Sequence, residues 1–320
     1  MLYSSCTRIR TGSTYLQLTL LFLLASGLGI AQTSPPRMQL HQYQEAIRVA
    51  EEKHLPQAQQ GTLWAQLGSA YQNAADFAKA EEAYQHALGL LKNAPSSRPD
   101  YAETLDALAS LYLYSDDLEA AEKARKQALA VREQLGDSTL IGVSQVHLAD
   151  IALKRHQFKK AEQLAMRGMD RMQISAEPPR VAMLSAYICL AFARCSRNHC
   201  DQGLMDAEHA VAFANKNFEE DSPAVAFALE TLGFAQWKNG GAPNGEQPML
   251  RGIELLKRML APGDPRLLGA MMQYRAYLLE ANRPAEAQEM QKQVTSLRAQ
   301  TGTYCARCTV SVTSLASGLR

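Results

Sequence analysis

The stretch GTLWAQLGSAYQNAADFAKAEEAYQHALGLLK, residues 61–92, decides the fold. Counted from Gly61 as position 1, it sets Trp64 at 4, Leu67 and Gly68 at 7 and 8, Tyr71 at 11, Ala80 at 20, Tyr84 at 24 and Ala87 at 27. The same frame can be laid down from Ala102, Gly142, Leu184, Ala226 and Leu268, at intervals of 40 to 42 residues. Position 8 then reads Gly68, Ala109, Ala149, Ala191, Gly233 and Arg275. Position 20 reads Ala80, Ala121, Ala161, Gly203, Gly245 and Ala287, and position 27 reads Ala87, Ala128, Gly168, Ala210, Gly252 and Val294. Sixteen of these eighteen are Ala or Gly, where the chain's 49 Ala and 19 Gly would give about four by chance. Small residues at fixed spacing imply two antiparallel helices, A then B, whose backbones approach at positions 8 and 20. A larger side chain there would overpack the crossing by about 1–3 kcal/mol. Position 27 is expected to be small because the next helix A crosses over it. Each hairpin leaves a face that the following hairpin covers.

This spacing resembles the tetratricopeptide repeat, and the period near 42 residues resembles the long-repeat subgroup to which kinesin light chains belong. The resemblance implies an all-α chain: a right-handed α-solenoid of about six antiparallel hairpins over residues 61–300. Pro and Gly in the connectors, such as Glu177-Pro178-Pro179 and Pro262-Gly263-Asp264-Pro265, end the B helices, and Asp or Ser caps the next A helix. The pattern weakens toward the end. Repeat four has Arg194 at position 11, repeat five has Pro248 inside helix B, and repeat six has Arg275 at a small-residue position. Pro248 should kink or delay its helix. Residues 32–60 read as a Pro-containing linker and an N-terminal capping helix. Leu40, Tyr43, Ala46, Ile47 and Ala50 give that helix its period and make it a half repeat. Residues 301–320 show β-branched alternation and read as a non-helical tail.

The N-terminus reads as an address. Arg8 and Arg10 precede an apolar run beginning at Tyr15, and Gly29-Ile30-Ala31 supplies a small-x-small site, as in a secretory signal peptide. Cleavage would fall after Ala31, and the protein would be exported to a periplasm or the medium. An uncleaved anchor is the alternative, although the run is about 16 residues and a spanning helix needs about 20. No second such run occurs, which excludes a polytopic membrane protein.

Lys plus Arg total 33 against 32 Asp plus Glu, so a dedicated nucleic-acid binder is not indicated. The chain holds no GxGxxG, Walker loop, HExxH or GxSxG. No cofactor and no metal site is expected, and an enzyme is not indicated. Six of the seven His, His41, His54, His86, His147, His156 and His209, read as residues of solvated helix faces. The cluster Cys189, Cys195, His199, Cys200 matches no zinc spacing. Its cysteines read first as small core hydrophobes, with a Cys195–Cys200 or a Cys189–Cys195 bond as alternatives. Cys305 and Cys308 form a CxxC pair that reads as a tail disulfide in an exported protein. A thiol redox enzyme or sensor built on that pair is the rival function, and a purely structural envelope component is a third.

In tetratricopeptide arrays the A helices line a concave groove, with positions 2, 5, 9, 12 and 13 pointing inward. The resemblance therefore implies a partner site at Asn73, Glu103, Asp106, Tyr114, Asp150, Ile188, Phe192, Phe234, Trp237 and Met272. The first half of this set is polar and mildly acidic, and the second half is apolar. The Lys/Asn/Arg set of a carboxylate clamp is absent. The sequence thus points to an exported, non-catalytic scaffold that binds a protein or peptide, with exposed aromatics as anchors.

Overall fold

The computed structural model describes residues 36–300, apart from residues 75 and 242–243. The expected leader (1–31), the tail (301–320) and the pair Cys305 and Cys308 lie outside the described residues. Thirteen α-helices and one short 3-10 turn, Pro95–Ser97, make up the fold, and no strand occurs among the described residues. Helix α1 (Pro36–Glu52) stands alone at the start. Six hairpins follow: α2 (Gln57–Asn73) with α3 (Phe77–Leu91), α4 (Arg98–Tyr114) with α5 (Leu118–Leu135), α6 (Ser138–Lys154) with α7 (Phe158–Gln173), α8 (Arg180–Cys195) with α9 (Cys200–Asn217), α10 (Pro223–Gly240) with α11 (Glu246–Met259), and α12 (Pro265–Glu280) with α13 (Pro284–Gln300). Each helix packs on its neighbours in the chain, and α6, α8 and α10 also pack side by side. The chain is an α-solenoid whose A helices form one wall and whose B helices form the other.

Local chemistry explains where the helices start and stop. The side chains of Asp76, Asp117, Asp137 and Ser222 accept from the backbone N–H three residues on, satisfying an otherwise orphaned donor at the N-termini of α3, α5, α6 and α10. Four of the turns from A to B, in repeats two, three, four and six, reuse one device. Position 15 of the frame is left-handed at Asp116, His156, Asn198 and Asn282, with φ of 57–63°. The N–H of the next residue then bonds back to the carbonyl at position 11, as from Asp117 to Tyr112 and from Gln157 to Ala152. This 6→1 bond closes helix A and turns the chain. Pro248 delays helix B of repeat five as expected: α11 starts at Glu246, with Pro248 in its first turn.

The small-residue positions act through close backbone approach. A Cβ on Gly245, position 20, would lie 2.1 Å from the carbonyl oxygen of Gly233, position 8 of the same repeat. Position 27 differs from the expectation. A Cβ on Gly168 would meet the oxygen of Gly142 at 2.7 Å, and Gly142 is position 1 of the same repeat. The crossing that keeps this position small is therefore within the hairpin, not with the next repeat's helix A.

The interior is unequal along the array. Repeats four to six share one continuous apolar core running from Leu184 to Val294, with Trp237, Met249, Leu256, Met271 and Tyr277 at its centre. Repeats one to three hold smaller separate clusters, one around Ala102 and Ala128, another around Val146 and Met172, a third around Tyr84 and Leu108.

Candidate functional site

The A helices of repeats two to six enclose a chamber of about 530 Å³. One side is polar and comes mainly from α6, where His147, Asp150 and Lys154 follow one another along a single face. Arg125 reaches it from α5. The facing side is apolar: Ile188 and Phe192 from α8, Phe227 and Phe234 from α10. The first turn of α12 (Pro265, Arg266, Gly269) and Tyr114 at the end of α4 both border the chamber, so repeats two and six meet across the hollow. Phe192 stacks on Phe234 with ring centres 4.5 Å apart. Phe234 in turn meets the edge of Trp237, and Trp237 meets Tyr277, so an aromatic row runs from the chamber into the core of repeats five and six.

Of the residues the sequence singled out, Tyr114, Asp150, Ile188, Phe192 and Phe234 line this chamber. Five others do not. Asn73 and Glu103 are exposed on other parts of the array. Trp237, expected as an exposed anchor, is 2% exposed. Met272 is likewise buried. Both side chains pack into the continuous core of repeats four to six. Asp106, expected as an acidic groove residue, is buried in an ion cluster. Its Oδ1 lies 3.0 Å from Arg125 Nη1 and its Oδ2 2.6 Å from Arg132 Nη1. His147 Nδ1 sits 3.4 Å from Oδ2 and also contacts Arg125. Arg125 donates to Ser110 and Arg132 donates to Ser144. Burial alone would raise the Asp106 carboxyl, but the His147 hydrogen bond and the two guanidiniums hold it well below the usual carboxylate range. His147 is pushed below its ordinary value by burial and by Arg125, and its half-buried ring lies against Asp106 and Arg125 at the chamber instead of standing on an open helix face.

Sequence reasoning passed over Arg125, Arg132, His147 and Gln273, yet a signal for the arginines existed. Arg125 and Arg132 occupy positions 24 and 31 of repeat two, where repeat one places the buried Tyr84 and Leu91. A cation on a core register has to bring a partner with it, and Asp106 is that partner.

Cys195 and Cys200 form a disulfide across the A–B turn of repeat four, with Cα atoms 4.0 Å apart. The reading of these two as core thiols is thereby corrected, and only Cys189 of the three keeps a free, buried thiol. Burial and the nearby Asp150 push that thiol well above its ordinary value, which suits packing and not nucleophilic chemistry. No group of three metal-ligating side chains gathers among the described residues. None of the described helices is long and apolar enough to cross a membrane.

Residues 59–134 match the tetratricopeptide repeat family model. The match spans the first two hairpins, where the repeat pattern is strongest. Solved structures extend the likeness to the whole array at the level of fold. The apo form of RapI superposes with a TM-score of 0.68 at 15% identity, covering 83% of this chain and 93% of that one. BtubC (BKLC) from P. vanneervenii gives 0.56 at 19% identity, over 71% and 92% of the two chains. The Rap conjugation gene regulator of the plasmid pLS20, solved in complex with the Phr* peptide, gives 0.55 at 11% identity, over 98% and 88%. No curated protein matches the chain.

Proposed function

We propose that the protein is an exported, non-catalytic scaffold that holds a protein or peptide segment in the chamber of its concave face. The observation that carries this reading is the chamber's apolar side, where Ile188, Phe192 and Phe227 stay only partly buried at the edge of the core, opposite the polar side of His147, Asp150 and Lys154. A chamber of about 530 Å³ lies within the ordinary range for a binding site. The fold shared with a Rap regulator solved with a bound peptide supports a peptide as the kind of ligand. Export rests on the N-terminal pattern, and the Cys195–Cys200 bond supports it, since such bonds persist in oxidising compartments.

The test is site-specific photocrosslinking in the native host. A benzoylphenylalanine at position 227, inside the chamber, should trap a discrete partner. The same group at position 123, on an exposed part of helix B of repeat two, should not. Phe192→Asp should abolish the adduct while leaving helicity unchanged. Equal labelling from both positions would remove the chamber from the function. Trp237 is unsuitable for such a test, because truncating a side chain this buried empties the core of repeat five.

A further inference from the structure

Two open charges stand side by side on the chamber's polar side. Of the charged side chains that line the chamber, Arg125 and Arg266 are already held, by Asp106 and by Asp264. Asp116 sits apart, in the A–B turn of repeat two. Asp150 and Lys154 lie four residues apart on one face of α6, both half-buried, and neither forms an ion pair or a side-chain hydrogen bond among the described residues. That spacing and order ordinarily favour a pair within the helix, as Glu122 with Lys126 shows. On the apolar side, Ile188 and Phe192 lie the same four residues apart on α8, which packs beside α6. The charged strip and the apolar strip therefore match in length, each rising about 6 Å. An extended chain advances about 3.3 Å per residue and turns alternate side chains to opposite faces, so residues i and i+2 stand about 6.6 Å apart on one face. Such a segment lying along α6 can set two side chains on Asp150 and Lys154 and turn the residue between them toward Ile188 and Phe192. A helix fits less well. At about 10 Å across, a cylinder of about 530 Å³ is little more than one turn long, and a single turn has no stability of its own.

We infer that the chamber recognises an extended peptide segment in which a basic and an acidic side chain flank an apolar one. The basic side chain pairs with Asp150, the acidic one pairs with Lys154, and the apolar one lies on Ile188 and Phe192. The order of the two charges sets the direction in which the segment runs along α6. Both ligand charges are side chains, so neither end of the partner chain is needed and an internal segment qualifies. The inference rests on the reading of the chamber as the binding site and names the sequence pattern that site prefers.

Titration calorimetry on the full chain tests this, with peptides blocked at both ends so that no terminal charge contributes. The first probe is acetyl-Ser-Leu-Lys-Leu-Glu-Leu-Ser-amide. Two others carry Gln-Leu-Gln or Lys-Leu-Lys at the centre, and a fourth sets Lys and Glu four residues apart. The natural chain should bind the Lys-Leu-Glu probe about 2- to 30-fold more tightly than the Gln-Leu-Gln probe, the yield of two partly exposed ion pairs. Lys154→Glu should turn the preference over and place Lys-Leu-Lys above Lys-Leu-Glu by at least about twofold, with helicity by circular dichroism unchanged. Salt at about 1 M should erase both differences. A preference that Lys154→Glu fails to move would overturn the pairing. Tighter binding of the fourth probe would overturn the extended form in favour of a helix. Equal binding of charged and neutral probes, all lost in Phe192→Asp, would overturn the charge pattern and leave the chamber reading intact. Absence of binding by all four probes would overturn the inference, while the crosslinking experiment would still judge the chamber by itself.

Discussion

Replacing Asp106 by Ala removes the one carboxylate that two buried guanidiniums share. Arg125 and Arg132 are 6% and 4% exposed, so neither can turn to solvent without unpacking helix B of repeat two. Breaking a buried pair from one side costs about 3–5 kcal/mol, because the remaining charge stays desolvated and unmatched. That is a large fraction of the stability of an ordinary domain. Repeat one shows what the same register looks like without charge: Ala65, Tyr84 and Leu91 stand where repeat two has Asp106, Arg125 and Arg132. The rescue is therefore the triple variant Asp106→Ala, Arg125→Phe, Arg132→Leu. Phe is used because the Tyr84 hydroxyl bonds Gln72, whereas repeat two has Leu113 at that position. An apolar replacement of a whole buried ion group is commonly neutral or stabilising by about 1–4 kcal/mol. Urea unfolding followed by far-ultraviolet circular dichroism should show the single variant weakened by several kcal/mol and the triple variant at or above the natural chain. A single variant within 1 kcal/mol of the natural chain would refute the account, because the cluster would then hold nothing in place. A triple variant as weak as the single one would refute it too, by showing that the charge itself is needed.

Glu230 gives the opposite pH signature. It is buried on α10 with Oε1 unpartnered, and burial raises its carboxyl well above the ordinary range. Its folded value exceeds its unfolded one, so its contribution is fully present below the unfolded value near pH 4 and is lost as pH rises through the folded value. Glu230→Gln should accordingly raise the urea midpoint at pH 8 and change little at pH 4; a pH-independent effect would count against a buried acid. Two glycines separate conformation from space. Gly245 has φ of 88° and faces the Gly233 oxygen, so Gly245→Ala should cost at least about 1–3 kcal/mol by thermal melting. Gly89, in helix α3 with nothing near its absent Cβ, should gain about 0.4–1 kcal/mol on Gly89→Ala; similar losses at both sites would show that the hairpin crossing is looser than described.

Much of the architecture was legible because small residues recur wherever two backbones must touch, and that constraint survives when the rest of a repeat drifts. Gly245 and Ala161 carry the same message two repeats apart. The site was only half legible. Tyr114, Asp150, Ile188, Phe192 and Phe234 follow the repeat map into the chamber, since each needs only its own helix to be placed. Trp237 and Met272 depart from it because the core shared by repeats four to six takes them in, Trp237 between Phe234 and Tyr277. Arg125 reaches the chamber from a B helix, a contribution that a map of A helices has no means to show. Position 15 was also unread: Asp, His and Asn look unrelated in sequence, and only their shared left-handed backbone unites them.

The uneven interior has a mechanical meaning. Where repeats four to six fuse into a single oily mass, bending one hairpin must disturb the other two, so that end behaves as an anvil. Repeats two and three are joined instead through a buried charged seam between smaller patches, whose partners are fixed by direction as well as by contact. Force on the N-terminal arm would then meet a brittle joint, one that holds until its ion cluster breaks and then yields, while the far end keeps its shape.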